Sequence, residues 1–233
     1  MLTERQQKIL NLIIEEYNRF RKPIGSKWFS KKYFKELSPA TIRREFNFLT
    51  KKNYLTQPYW SAGRIPTDKA YQWFIENNVL NPVSLEDDMA YWEKKLERLQ
   101  YLSFFEMTKH IANLCESLTV GYLPPQEAIF KYGLKKLFEQ LKELSVMRWE
   151  TIWEDLDYLD ERLKKSFKNL IQEDRQIFIG EESPITRDKN LTVFSYTIPY
   201  KQHRNLLILI GPKNIICRRN ISILEAAHKI LNN

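Results

Sequence analysis

Ser38-Pro39-Ala40-Thr41-Ile42-Arg43-Arg44-Glu45 is a helix start written twice over. Ser38 is a good N-cap, because its hydroxyl accepts one of the first-turn N–H groups that a helix leaves unpaired. Pro39 falls at the first helical position, where its missing N–H costs nothing and its fixed φ is already helical. Shortly after this helix, Tyr54-Leu55-Thr56-Gln57-Pro58-Tyr59 has the composition of a strand, and Ser61-Ala62-Gly63-Arg64-Ile65-Pro66-Thr67 follows as a basic loop with a glycine. A capped basic helix followed by such a loop is the sequence form of a winged helix-turn-helix, which places one helix in a DNA groove and a loop beside it.

Charge points the same way. Residues 1–80 hold 15 Lys+Arg against 7 Asp+Glu, and residues 81–233 hold 22 against 22, so the whole net charge of +8 sits in the first third. A surplus confined to one region suits attraction to phosphate better than a uniformly solvated surface does.

The rest of the N-terminal module reads as short helices with tight turns. Thr3 and Gln6 form a capping-box pattern. Ile9, Leu10, Ile13, Tyr17 and Phe20 then recur at helical spacing and make one apolar face. Pro23 and Gly25 end that helix, and Ser26 is placed to cap a second one from Lys27 to about Lys35. On the third helix Ile42, Phe46 and Leu49 fall in one arc and point inward. The opposite arc carries Ala40, Arg44, Asn47 and Lys51, flanked by Thr41, Arg43 and Phe48. Arginine pairs with guanine, asparagine with adenine, and small residues admit thymine methyls. Gly63 supplies freedom for a tight loop tip, with Arg64 beside it to enter a minor groove or contact phosphate. Thr67 caps a last helix from Asp68 to about Asn78. The candidate DNA-contacting residues are Ser26, Lys27, Ser38, Ala40, Thr41, Arg43, Arg44, Asn47, Lys51 and Arg64.

Beyond residue 80, Asn81-Pro82-Val83-Ser84 reads as a linker. Leu85, Met89, Trp92, Leu96 and Leu99 follow heptad spacing, able to pair with a second copy or to pack within the chain. Apolar residues continue through Phe105, Ile111, Leu114 and Leu118. Pro124-Pro125 breaks the chain, after which Gln126 to about Trp149 and Ile152 to about Gln172 read as two amphipathic helices. Gln176–Ile179, Leu191–Ile198 and Leu206–Ile210 are β-rich, and a final helix spans about Ser222 to Leu231. The fold class expected is α+β.

Several function classes are disfavoured. The longest apolar run, Leu206–Ile210, falls far short of the roughly 20 residues of a membrane helix, and the N-terminus lacks the apolar core of a secretory signal. Cys115 and Cys217 lie in apolar segments and read as two buried thiols of a cytoplasmic protein rather than a bridge. His110, His203 and His228 stand apart from any metal-ligand spacing, and neither a phosphate-binding glycine loop nor a nucleophile elbow occurs. Glu181-Glu182 point different ways and form no acid–base pair. No enzyme, no metal and no cofactor is expected.

The motifs also resemble a known family. Leu2-Thr3-Glu4-Arg5-Gln6, Pro23-Ile24-Gly25-Ser26-Lys27, Leu37-Ser38-Pro39-Ala40-Thr41-Ile42-Arg43, Gln57-Pro58 and Ser61-Ala62-Gly63-Arg64-Ile65-Pro66-Thr67-Asp68-Lys69 look like the heat-inducible transcription repressor HrcA family, in order and spacing. Weaker likenesses follow at Gly133-Leu134, Ile179-Gly180-Glu181-Glu182 and Ile210-Gly211-Pro212-Lys213. Three segments are expected: a winged-helix domain at 1–80, a linker and helical segment at 81–125 able either to dimerise or to pack within the chain, and an α+β domain at 126–233 that the resemblance implies is GAF-like. Between Leu118-Thr119 and Gly133 the chain has barely a dozen residues, where the family places early sheet strands and an inserted dimerising domain. A shortened, divergent member with a reduced GAF-like domain is therefore expected. Arg44 stands where the family has an amide, and Tyr59-Trp60 where it has a polar pair. What the resemblance implies for function is a homodimeric repressor of heat-shock and chaperone genes. It would bind an inverted-repeat operator in double-stranded DNA, with a GroEL-type chaperonin as partner. The alternative is a regulator of other genes whose C-terminal domain senses a ligand or a protein.

Overall fold

Thr3 Oγ1 accepts the Gln6 N–H at 3.3 Å while the Gln6 side chain accepts the Thr3 N–H at 3.1 Å, so α1 (Glu4–Phe20) opens on a closed capping box. This computed structural model describes residues 2–78, 86–142 and 146–232, the side chains of 146–148 excepted. The chain divides into two units, Met1–Pro82 and Val83–Asn233.

In the first unit α1 is followed by α2 (Ser26–Tyr33), α3 (Pro39–Lys51), a two-residue ladder of β1 (Leu55–Thr56) with β2 (Ile65–Pro66), and α4 (Asp68–Asn78). The N-cap of α2 is Gly25, without a side-chain cap bond, and Ser26 is already helical. Ser38 caps α3 as expected, accepting the Thr41 N–H at 3.1 Å. Thr67 Oγ1 accepts the Ala70 N–H at 3.3 Å and so caps α4. Ile9, Leu10, Ile13, Phe29, Ile42, Phe46, Leu49, Leu55 and Phe74 fill the core. The inward arc of α3 is thus the expected one. Phe20, expected on the apolar face of α1, is 45% exposed. It meets Trp28 edge-on at 6.3 Å, and the Lys32 ammonium lies over both rings.

The second unit is α+β, with one five-stranded antiparallel sheet. Helices α5 (Glu86–Leu96) and α6 (Phe104–Cys115) precede β3 (Leu118–Leu123) and β4 (Ala128–Tyr132). Then come α7 (Leu134–Leu141), α8 (Val146–Asp157), α9 (Leu159–Leu170), β5 (Arg175–Ile179), β6 (Leu191–Tyr200), β7 (His203–Pro212) and α10 (Arg218–Asn232). The strand order is β4-β3-β7-β6-β5, with Val120 opposite Ile208 and Val193 opposite Ile210. Period-two alternation sends Leu118, Val120, Val193, Leu206, Ile208 and Ile210 to one face, where they share a core with Leu137, Leu141, Ile152, Leu159 and Leu163 of α7, α8 and α9. On the other face α6 packs on β3 and α10 on β6. There Tyr196 Oη donates to Glu225 Oε1 at 2.8 Å, and Arg175 pairs with Glu225 at 2.7 Å.

Three expectations change here. The segment 126–149 is not one helix: Ala128–Tyr132 pairs with β3 along its whole length. Gly133 then turns the chain at φ 89°, where an added Cβ would lie 2.2 Å from the Ser117 carbonyl oxygen. The stretch 152–172 likewise divides into α8 and α9 near Tyr158. The helical segment expected at 81–125 belongs to the second unit and ends in β3 of its sheet. The heptad residues explain why. Leu96 and Leu99 are buried, α5 lies along α10, and Arg218–Asp88 (3.1 Å) and Lys229–Glu93 (2.8 Å) pair across that seam. The seam therefore packs within the chain. Asn81–Ser84 and Leu85 lie outside the described residues.

Asp155 holds the 183–190 loop to α8. Its carboxylate is 1% exposed and accepts the Arg187 N–H at 2.8 and 2.9 Å, the Asp188 N–H at 2.9 Å, and an Arg162 guanidinium N–H. Asp155→Asn keeps the shape but loses one acceptor oxygen, and should destabilise this unit by about 2 kcal/mol. Urea unfolding followed by circular dichroism measures it, and an unchanged midpoint would contradict this role.

Candidate nucleic-acid interface

Two fastenings aim α3 outward. Ile42, Phe46 and Leu49 bury its inner arc, with Phe46 edge-on to Phe29 of α2 at 5.4 Å. Glu45, on the flank of that arc, is also buried and accepts from Arg5 Nη2 at 2.6 Å and Gln6 Nε2 at 3.1 Å, tying α3 to α1. The sequence pattern gives no sign of this pair, because Glu45 and its partners are some forty residues apart. With the inner arc fixed, geometry leaves Ala40, Arg43, Arg44, Asn47 and Lys51 exposed. Thr41 is half-buried and its hydroxyl meets Ser38 Oγ at 2.9 Å, so both residues take part in the cap of α3.

Lys27, Arg43, Arg44 and Lys51 form no ion pair among the described residues, whereas Arg5 and Lys32 nearby are both paired with carboxylates. The unpaired cations are distributed in two places. Ser26, Lys27, Arg43, Gln57 and Arg64 line a groove of about 430 Å³ between the start of α2, α3 and the hairpin loop. Arg44 and Lys51 stand further round the exposed arc of α3.

Arg64 is not at the hairpin tip. The tip is Tyr59 and Trp60, which are 66% and 94% exposed, with Ser61 in the left-handed region at φ 65°. Arg64 instead forms a β-bridge with Ile24, its N–H to the Ile24 oxygen and its oxygen from the Ile24 N–H, both at 2.9 Å. Its side chain turns back onto α3, donating from Nε to Thr50 Oγ1 at 3.1 Å and from Nη2 to Asn47 Oδ1 at 2.9 Å. Partial burial lowers its pKa from the usual arginine value, and the group stays cationic. Gly63 is also reassigned. Its φ is not positive; its need is space, since an added Cβ would sit 2.4 Å from the Ile24 backbone. Thr50, Trp60 and the Ile24 strand edge escape the sequence pattern, because only the tertiary bridge brings 24, 50 and 64 together.

A family model described as the HrcA protein C-terminal domain matches residues 76–219. The chain belongs to the HrcA family. Among curated HrcA-family proteins, the heat-inducible transcription repressor HrcA of Alkaliphilus metalliredigens is 38% identical over 131 residues, which are 53% of this chain and 37% of that protein. That of Bifidobacterium animalis subsp. lactis is 44% identical over 85 residues, 36% of this chain and 23% of its own. The matches thus span between about a quarter and two fifths of the length of these HrcA relatives. A crystal structure described as that of a hypothetical protein shares the fold. It superposes with a TM-score of 0.70 at 18% identity, covering 99% of this chain and 96% of the other. Among the described residues no helix is long and apolar enough to cross a membrane, and no group of His, Cys, Asp or Glu has the arrangement to hold a metal ion.

Proposed function

We propose that this chain is a sequence-specific, DNA-binding transcriptional repressor of stress genes. The observation that carries the reading is the exposed arc of α3, whose cations have no carboxylate partner among the described residues, standing beside a groove lined by Lys27, Arg43 and Arg64. Phosphates are the natural partners of such unpaired cations. Family membership and the names of the relatives, heat-inducible transcription repressors, support it. In this reading the first unit is a winged helix-turn-helix. Its helix α3 enters the major groove, and the hairpin carrying Tyr59 and Trp60 lies beside it. The second unit is a reduced GAF-like domain with a structural core rather than a catalytic centre. Ser26, Lys27, Ala40, Arg43, Arg44, Asn47 and Lys51 contact the duplex, while Ser38 and Thr41 shape the helix start.

A single recognition helix reads only a few base pairs, so the protein acts as a homodimer on an inverted repeat with half-sites about 10 bp apart or a multiple of it. Repression follows from occupancy of the promoter. Release on heating follows from loss of fold, with a GroEL-type chaperonin returning the repressor to its folded form.

Fluorescence anisotropy with promoter duplexes and scrambled duplexes at matched salt tests the proposal. The expected result is binding at least about 1,000-fold tighter to a promoter carrying an inverted repeat. Equal affinity for both would make the protein a non-specific nucleic-acid binder and overturn the reading.

A further inference from the structure

Asn47 is the exposed amide on the outer arc of α3, and asparagine ordinarily reads adenine through a pair of bonds, accepting from N6–H and donating to N7. Here one lone pair of its acceptor oxygen is already engaged by a cation. A guanidinium has donors only, so the atom of Asn47 facing Arg64 Nη2 at 2.9 Å has to be Oδ1. This settles which way the amide lies. The Nδ2 group, with two donors, is left toward the exposed side, and has no protein partner among the described residues. Arg64 is itself held from both ends. Its backbone is bridged to Ile24. Its Nε donates to Thr50 Oγ1 at 3.1 Å, and the Thr50 hydroxyl in turn donates to the Phe46 carbonyl at 2.8 Å. The Arg64 Nε and Nη2 groups and the Thr50 hydroxyl each meet an acceptor, so turning the amide over would set its Nδ2 donors against the Arg64 Nη2–H.

We infer that Arg64 is a positioning residue that sets base preference through Asn47, presenting the amide as a donor and directing it to an acceptor edge, guanine in first place, instead of to adenine. Guanine offers N7 and O6 side by side as acceptors, whereas adenine puts a donor at N6 against a donor from Asn47. Arg64 thereby contributes to sequence recognition through Asn47, beyond any contact its remaining N–H groups make with phosphate in the groove it lines. The inference rests on the DNA-binding reading above.

The test is selection of preferred duplexes from a library with a randomised centre, using the full chain and three variants. The parent should select guanine at one position of each half-site. Asn47→Ala should flatten that position by roughly tenfold and leave the others unchanged. Asn47→Asp keeps the bond from Arg64 but turns the outward donor into an acceptor, so the same position should shift toward cytosine, whose N4 donates. Arg64→Met frees the amide to turn and should admit adenine there. Its folding is checked by circular dichroism, and the two Asn47 variants carry the test if it fails to fold. An adenine preference that disappears in Asn47→Ala overturns the inference, as does a profile that neither Asn47 variant changes, and as does a folded Arg64→Met that keeps the parent's guanine preference. A parent that selects no sequence at all overturns the DNA-reading function itself, and the inference with it.

Discussion

Gly63→Ala is expected to destabilise the N-terminal unit by about 3 kcal/mol and to abolish duplex binding with it. An alanine Cβ at this position would lie 2.4 Å from both the carbonyl carbon and oxygen of Ile24 and 2.7 Å from its nitrogen. All three are backbone atoms of the bridge that joins the chain before α2 to the hairpin, so no side chain can swing aside to make room. Relief requires Ile24 and Arg64 to separate. That breaks two backbone hydrogen bonds of 2.9 Å and withdraws Arg64 from Thr50 and Asn47. For a unit of this size the loss corresponds to a fall in melting temperature of about 15 °C. Gly25→Ala is the matched control. It lies one residue from the same bridge, but an added Cβ there meets nothing within 4 Å. Its φ of −86° suits any residue, so it should cost less than about 1 kcal/mol. Thermal unfolding of both variants decides it: equal melting temperatures would mean that the close approach of 63 to 24 is not part of the folded state.

The same pair of residues marks the limit of what the sequence makes legible. Local rules are readable along the first 80 residues. Thr3 with Gln6, Ser38 with Pro39, and Thr67 each announce a helix start by a bond made within three residues, and Ile42, Phe46 and Leu49 reveal the inner arc of α3 by spacing alone. The outward placement of Arg43, Arg44, Asn47 and Lys51 follows from that arc by elimination. Arg64 was legible as part of a basic loop but not as a strut, because its direction is set by Ile24, forty residues earlier in the chain. In the second unit the polar and apolar residue types of Leu191–Ile198 largely alternate along the sequence and make β6 readable, although both of its faces are buried, whereas β3 and β4 are not readable. Leu118, Val120 and Tyr122 continue an apolar series begun on α6. Ala128–Tyr132 forms an edge strand, half-buried throughout, so it shows no alternation of burial. Pairing between β3 and β4, and of β3 with β7 nearly ninety residues on, makes both segments strands. The heptad series was legible as a seam but silent about its partner. Ion pairs from Asp88 and Glu93 to α10 supply that answer.

The second large effect separates gripping from reading on α3. Arg43 and Arg44 are both exposed and neither has an ion-pair partner among the described residues, so replacing either should change stability by no more than about 0.5 kcal/mol. Their surroundings differ. Arg43 lines the groove shared with Lys27 and Arg64, where a duplex backbone would pass, whereas Arg44 stands at the centre of the exposed arc. Arg43→Ala should therefore weaken all duplexes alike and lower the slope of log affinity against log salt by roughly one unit. Arg44→Ala should cost about 1–3 kcal/mol on the preferred duplex and relax preference at one base. Arg43→Glu with Arg44→Glu puts two anions where two cations stood. Against phosphates this reversal should remove more than about a hundredfold in affinity from every duplex, with folding intact. Anisotropy titrations of the three variants over a salt series, beside circular dichroism, read all of these together. If the double reversal binds duplex DNA as the parent does, α3 is not the surface that meets DNA. If Arg44→Ala keeps the parent's base preferences while its salt slope falls, Arg44 grips the backbone and base reading rests with Asn47 and its neighbours.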